Sequence, residues 1–127
     1  MVVNFPAPGP SPIPPVRDPL SVVSLYTGNP TTYANVVTAV QASWSTGSTN
    51  SNFSFANGTD TCVQVNNLGF FGLVGASNFS VVGMSTMHVD IYVNTPMTTM
   101  ILNLLAPGDR NYSVGPLATG WNSFDIP

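Results

Sequence analysis

The clearest structural signal in the sequence is a strict alternation of apolar and polar positions over residues 86–93. The apolar positions are Met87, Val89, Ile91 and Val93, and a polar or aromatic side chain stands between each pair. Because successive side chains of a β-strand point to opposite faces, this period of two predicts a strand with one buried face. Burying apolar side chains of this size contributes roughly 1.5–3 kcal/mol each, before the entropy cost of ordering the chain is subtracted.

Short apolar segments separated by turn residues continue along the chain. The further predicted strands are residues 21–26, 53–55, 61–66, 68–74, 78–82, 98–105, 111–114 and 121–126. Residues 33–41 fit either a strand or a helical turn. Short strands at roughly ten-residue spacing are typical of an antiparallel β-sandwich or jelly roll, so the sequence predicts an all-β fold of this kind.

The first twenty residues differ sharply in composition from the rest. Seven of the chain's 12 prolines lie there, at positions 6, 8, 10, 12, 14, 15 and 19. Each X-Pro step favours extended or polyproline II geometry, so residues 4–19 are predicted to span roughly 45–50 Å, at about 3.1 Å per residue. We therefore predict two regions, an extended proline-rich docking arm over residues 1–20 and a β-sandwich domain over residues 21–127.

The arm is predicted to dock on a partner, because a polyproline II segment loses little entropy when it binds. Its expected apolar anchors are Phe5, Ile13 and Val16, and Arg17 with Asp18 is expected to form its polar contact. A free linker is the alternative interpretation of the same composition.

Charged residues make up only 6% of the chain, against about 25% in an ordinary soluble domain. The net charge is −3, with two arginines as the cations. Phosphate binding needs clustered Lys and Arg, so nucleic acid is not expected as a partner. Asn, Ser and Thr must cover the surface instead, and so little charge gives poor protection against association. This composition favours a surface covered by neighbouring subunits, or one that works outside the cell.

The sequence also bears on export and redox chemistry. No run of about 18 apolar residues is present, so a membrane span is not expected. Prolines begin at Pro6, where a signal peptide needs its apolar segment, so the chain is expected to begin at its own N-terminus without secretory export. Cys62 has no second cysteine in the chain. It is interpreted as a small buried apolar residue, with an intermolecular bridge as the alternative.

The residue types that catalysis needs are scarce. There is one histidine, the aspartates are scattered without a paired spacing, and neither a G-x-S-x-G elbow nor a phosphate-binding glycine pattern occurs. A zinc site needs three or four ligands, and His88 has only Asp90 and Cys62 to help. We therefore expect a protein that is not an enzyme, with no catalytic residues, no metal and no cofactor.

The polar face of the strand over residues 86–93 is a candidate binding site. His88, Asp90 and Tyr92 share that face, and with Trp44, which lies in a polar segment, they form the candidate glycan-binding set. A solvated sandwich face is the plainer interpretation of the strand residues. Trp121 opens an alternating strand and is interpreted as a core residue.

Three segments resemble a β-sandwich module of secreted bacterial glycan-active proteins and some phage tail fibres. They are residues 22–26, 83–93 and 120–127, and Trp44 lies between the first two. The resemblance covers residues 22–127 and implies a carbohydrate-binding-like jelly roll. Where that family carries an aspartate after the first strand, for a structural cation, this chain has Thr27, Gly28 and Asn29. The family's last strand would fall beyond Pro127, so the sandwich is expected to lack that strand.

These observations together predict a non-enzymatic virion structural protein, such as a phage tail-fibre, spike or decoration component. Its arm would dock on other virion subunits, and its sandwich would form a homo-oligomer, with a trimer as the expectation for that class. The alternative is a carbohydrate-binding module of a secreted bacterial glycan-active protein, with a glycan as its partner and an extracellular or cell-surface location.

Overall fold

The computed structural model describes residues 9, 12, 16–25, 36–39, 45–46, 48–54, 61–75, 78–105 and 108–127. Within these ranges the chain forms β-strands and one 3-10 helix, Pro19–Ser21, and no α-helix. The strands are β1 (Val37–Ala39), β2 (Ser48–Ser54), β3 (Thr61–Asn66), β4 (Val74–Gly75), β5 (Met87–Val93), β6 (Met100–Leu104), β7 (Arg110–Val114) and β8 (Gly120–Ile126). The all-β class predicted from the sequence is confirmed for this part of the chain. None of its helices is long and apolar enough to cross a membrane.

The strands belong to two compact units. One comprises Pro15–Met84 and contains β1 to β4, and the other comprises Met1–Pro14 with Ser85–Pro127 and contains β5 to β8. We call them the β1–β4 unit and the β5–β8 unit. The predicted division into an arm over residues 1–20 and one sandwich over residues 21–127 stays a prediction.

The β1–β4 unit contains two antiparallel pairs, β1 with β4 and β2 with β3. The second pair runs from Ser48 opposite Asn66 to Ser54 opposite Thr61, with a register shift between Asn50 and Phe53. The strand predicted over residues 61–66 is confirmed as β3, and part of the undecided segment 33–41 forms β1.

Hydroxyl side chains hold the irregular backbone between these strands. Thr46 Oγ1 accepts from Phe70 N at 2.8 Å, and Thr46 N donates to the Phe70 carbonyl at the same distance. Ser45 Oγ accepts from Gly72 N at 3.1 Å. Serine and threonine can satisfy backbone groups in this way where a strand ladder is missing.

The strand predicted over residues 78–82 is wrong. The chain turns there instead, because Met84 N donates to the Val81 carbonyl at 3.0 Å and Gly83 adopts a φ of 85°. Val82 is 91% exposed. A glycine with positive φ suits a turn. The apolar residues beside Gly83 were therefore a poor indication of a buried strand.

The β5–β8 unit contains two antiparallel sheets, β5 with β8 and β6 with β7. Met97 and Leu117 form an isolated antiparallel β-bridge. Met97 N donates to the Leu117 carbonyl at 3.0 Å, and Leu117 N donates to the Met97 carbonyl at 2.8 Å. In β6, Met100, Leu102 and Leu104 are half-buried while Ile101 and Asn103 are exposed, as the predicted inward face requires. The buried apolar residues described in this unit are Val93, Val114, Leu117 and Ile126.

Candidate functional site

The register of β5 and β8 brings two rows of side chains together on one face. Cross-strand partners lie directly opposite each other and share a face, as do alternate residues along each strand. The three partner pairs on the face opposite the apolar row are His88 with Asp125, Asp90 with Ser123, and Tyr92 with Trp121. We call these six residues the polar–aromatic face.

The polar half of this face is a continuous line of hydrogen bonds. His88 Nδ1 lies 2.8 Å from Asp125 Oδ1, and His88 Nε2 lies 3.2 Å from Asp90 Oδ2. The Ser123 hydroxyl donates to the other oxygen of Asp90. The Asp90 side chain is only 14% exposed, whereas that of Asp125 is 65% exposed. The imidazole is therefore held between two acceptors, one inside the network and one at its solvent-exposed end.

This arrangement does not assemble a nucleophilic triad. Activation of a serine requires its hydroxyl to contact the histidine that removes its proton. Here the Ser123 hydroxyl contacts Asp90, and His88 contacts only carboxylates through its ring nitrogens. The described residues also contain no group of three His, Cys, Asp or Glu side chains arranged to hold a metal. The polar half thus links β5 to β8 through side-chain hydrogen bonds.

The aromatic half is an edge-to-face pair. The rings of Tyr92 and Trp121 have centroids 5.5 Å apart and an interplanar angle of 72°. This geometry is attractive beyond simple burial and fixes the orientation of the indole. Trp121 Nε1 donates to the carbonyl of Gly9 at 3.1 Å. A residue of the proline-rich segment is therefore held directly on the face, and Pro12 of the same segment is half-buried.

Asn122 fixes the backbone where β8 begins. Its Oδ1 accepts from Ala118 N at 3.0 Å, and its Nδ2 donates to the carbonyls of Ala118 and Gly120 at 2.9 and 3.0 Å. These bonds close the turn that precedes Trp121 and so position the indole. Asn122 was not among the residues predicted for the site. Its only signal in the sequence is an asparagine two residues after a glycine at the start of an alternating strand, which is compatible with a nearby turn without identifying its role.

The interpretation of Trp121 as a core residue is wrong. The register places it beside Tyr92, and it remains partly exposed. The sequence contained the relevant signal, because Phe124 and Ile126 share a parity on β8 that Trp121 does not. If Phe124 and Ile126 face the core, Trp121 must face the other way.

The other predicted site residues lie in different places. Val16 is 86% exposed, and Arg17 donates to the Val16 carbonyl at 3.1 Å. Asp18 precedes the 3-10 helix and caps its start, because its Oδ1 accepts from Leu20 N at 3.0 Å. His88, Asp90 and Tyr92 are brought together as predicted. The remaining predicted residues, Phe5, Ile13 and Trp44, lie outside the described residues, as does the side chain of Cys62.

A shallow cleft of about 300 Å³ opens beside this face, lined by residues 112–115 and 124–127. Asp125 is shared between the cleft and the polar half of the face. Among the described residues, no buried side-chain nitrogen or oxygen lacks a hydrogen-bond partner.

Comparison with known proteins gives no relative. No protein-family model matches the chain, and neither a curated protein nor a solved structure is detectably similar to it. The resemblance to the β-sandwich module of glycan-active proteins and tail fibres stays an expectation based on the segments quoted above.

Proposed function

We propose that the chain is a non-enzymatic structural subunit of a virion, such as a phage tail-fibre, spike or decoration component, that docks through its proline-rich arm. The observation that carries this proposal is the hydrogen bond from Trp121 Nε1 to the Gly9 carbonyl. It supports an arm that seats on a strand face, which is the contact a docking segment needs. A free linker would make no such contact.

The composition of the surface supports assembly with other subunits. Several large apolar side chains of the described residues are exposed by more than half; they are Val16, Leu20, Phe70, Val82, Ile101 and Leu105. Exposed apolar side chains together with few charges favour association between chains. We extend the proposal to a homo-oligomer, for which a trimer is the first state to test.

We also propose that the two sheets of the β5–β8 unit pack as a small sandwich. Their buried residues support this, because Val93 and Ile126 belong to the β5–β8 sheet and Val114 belongs to the β6–β7 sheet. Leu117, which is 1% exposed, forms the isolated β-bridge with Met97 in the same unit. Sheets that share a core in this way face each other across it.

Sedimentation of the full chain tests the structural role. We expect an oligomer at micromolar concentration. A variant that lacks residues 1–14 is expected to lose it while keeping the far-ultraviolet circular dichroism of the β-fold. A full chain that stays monomeric at every concentration up to solubility would contradict the proposal.

Carbohydrate binding at the cell surface or outside the cell is the second candidate, and one observation favours it. The Tyr92 and Trp121 rings lie next to Asp90 and Ser123 on the same face. Aromatic surface with a few directed polar groups is the usual composition of a small-molecule site. A glycan array with the full chain tests it. Binding that is lost in Tyr92→Ala and kept in Ile101→Ser would favour this candidate, and an empty array would remove it.

A further inference from the structure

The Trp121–Gly9 contact pairs two groups of complementary hydrogen-bonding capacity. A polyproline II segment has no internal hydrogen bonds, so its carbonyls remain open to partners. Prolines also lack the backbone N–H, so an X-Pro segment presents mostly acceptors. The indole N–H is a donor only. A tryptophan held with its ring edge toward the segment is therefore well matched to it, and the edge-to-face contact with Tyr92 holds the ring in place.

The hydrogen bond from Trp121 involves a backbone carbonyl of the arm and no side chain of it. A Cβ added to Gly9 would meet no atom of the described residues within 4 Å, so the contact does not depend on the absence of a Cβ there. Prolines recur at every second position from Pro6 to Pro14. Every residue of this segment carries a carbonyl, and in polyproline II geometry every third carbonyl faces the same way. The arm thus offers several alternative acceptors to the single N–H of one Trp121.

We propose that the Tyr92–Trp121 pair is a receptor for X-Pro segments, and that its occupant in the assembled protein is the arm of a second copy of this chain. The inference rests on the proposed assembly role and specifies the contact that creates it. The bond seen within one chain can form identically between two chains, and exchanging an identical segment between protomers is a low-cost route to an oligomer.

Association between copies brings a gain that the bond within one chain does not. Ile101 and Leu105, in the same unit as the receptor, are 63% and 66% exposed. An arm that crosses to a neighbour brings two such units close together and allows this apolar surface to be covered. A net charge of −3 opposes that approach only weakly.

Photo-cross-linking of the full chain tests the inference. A photoreactive phenylalanine analogue replaces Gly9, where an added Cβ would meet no described atom within 4 Å. Chains grown in light and heavy nitrogen are unfolded, mixed in equal amounts, refolded together and illuminated. We expect cross-links from position 9 to the β5–β8 sheet. Those that join a light chain to a heavy chain should be as frequent as the light–light and heavy–heavy cross-links taken together.

A matched pair of variants identifies the receptor. Trp121→Phe keeps an aromatic ring and removes the N–H, and it should lower the cross-link yield roughly 5-fold, the loss that corresponds to one hydrogen bond. Tyr112→Phe removes a hydroxyl group, and with it one polar hydrogen, from an aromatic side chain on β7, and it should leave the yield unchanged. An equal loss in both variants would overturn the receptor assignment.

The remaining outcomes separate this inference from the proposed function. Cross-links confined to single chains in a sample that sediments as an oligomer would overturn arm exchange and leave the assembly role standing. Cross-links confined to single chains in a monomeric sample would overturn both. An oligomer with no cross-link to the β5–β8 sheet would also overturn the inference, since the arm would then dock elsewhere.

Discussion

Single residues determine the path of the backbone between strands of the β5–β8 unit. Gly115 follows β7 directly and has a φ of 138°, a conformation that side chains with a Cβ rarely adopt. A Cβ built there would lie 2.6 Å from the Thr98 carbonyl oxygen and 3.0 Å from Thr99 Cα. The glycine therefore allows two backbone segments to approach more closely than any other residue would permit.

Gly115→Ala is expected to destabilise the chain by about 2–3 kcal/mol, because backbone strain and a backbone clash act together. Gly108→Ala is the matched control. Gly108 also has a positive φ, 82°, but a Cβ there would meet nothing within 4 Å, so only the strain of about 1 kcal/mol applies. Urea unfolding of both variants measures the difference. Equal losses would show that the close approach to Thr98 costs nothing.

Asn122→Ala is expected to lower the free energy of unfolding by about 1–2 kcal/mol, because the Ala118 and Gly120 backbone groups lose their side-chain partner. Asn122→Asp retains the acceptor for Ala118 N but places a carboxylate oxygen against the Ala118 and Gly120 carbonyl oxygens, so it should be less stable than Asn122→Ala. Urea unfolding monitored by Trp fluorescence checks the order. An aspartate variant as stable as the parent chain would contradict the hydrogen-bond explanation.

At the scale of elements, pairing in space determines what the sequence pattern alone cannot. The alternation over residues 86–93 is local, and it predicts both the strand β5 and its two faces. That β5 pairs with β8, about thirty residues further along the chain, is a long-range choice that local periodicity does not contain. The partners of His88 on the neighbouring strand therefore became visible only with the register.

Failed strand predictions have a different physical origin. Residues 68–74 contain an apolar run, but only Val74 of them lies in a strand, β4, and Phe70 is 72% exposed. A Cβ built on Gly69 would lie 2.5 Å from Thr46 Oγ1. Hydrogen bonds from Thr46 and Ser45 hold this backbone in place of a strand ladder. A partner some 24 residues away is not visible in the composition of the segment itself.

His88→Ala is expected to destabilise the β5–β8 pair by about 1–2 kcal/mol. It removes the donor between two carboxylates and leaves Asp90, which is mostly buried, with Ser123 as its remaining partner. Asp125→Ala should cost less than about 0.5 kcal/mol, because its side chain is largely exposed and solvent screens the contact. Thermal unfolding of the two variants checks the ranking. An Asp125 variant as unstable as the His88 variant would contradict it.

At the scale of the whole molecule, the scarcity of charge sets how chains meet. Charged residues are 6% of the sequence, and the described surface carries large exposed apolar side chains. In the proposed oligomer, attraction between copies would therefore depend on apolar contact and hydrogen bonding, with little contribution from ion pairs. This expectation follows from composition and needs no knowledge of the fold.

The dissociation constant of the proposed oligomer is expected to change less than about 3-fold between roughly 0.05 and 0.5 M salt, because few charges are available to be screened. Sedimentation equilibrium in buffers of increasing ionic strength measures it. The cross-linked sample with the photoreactive residue at position 9 serves as the control, since it cannot dissociate. A 10-fold or larger weakening with salt would show that ion pairs, and hence the two arginines, hold the copies together.

The alternation of proline in the first fourteen residues has a consequence for the geometry of any joint that it forms. In polyproline II geometry, with three residues per turn, carbonyls that face the same way recur about every 9 Å along the segment. A bound arm could shift by one such step and present the next carbonyl to the same indole. The distance between two joined bodies would then be adjustable in fixed increments, which allows one kind of link to fit neighbours that are spaced unequally.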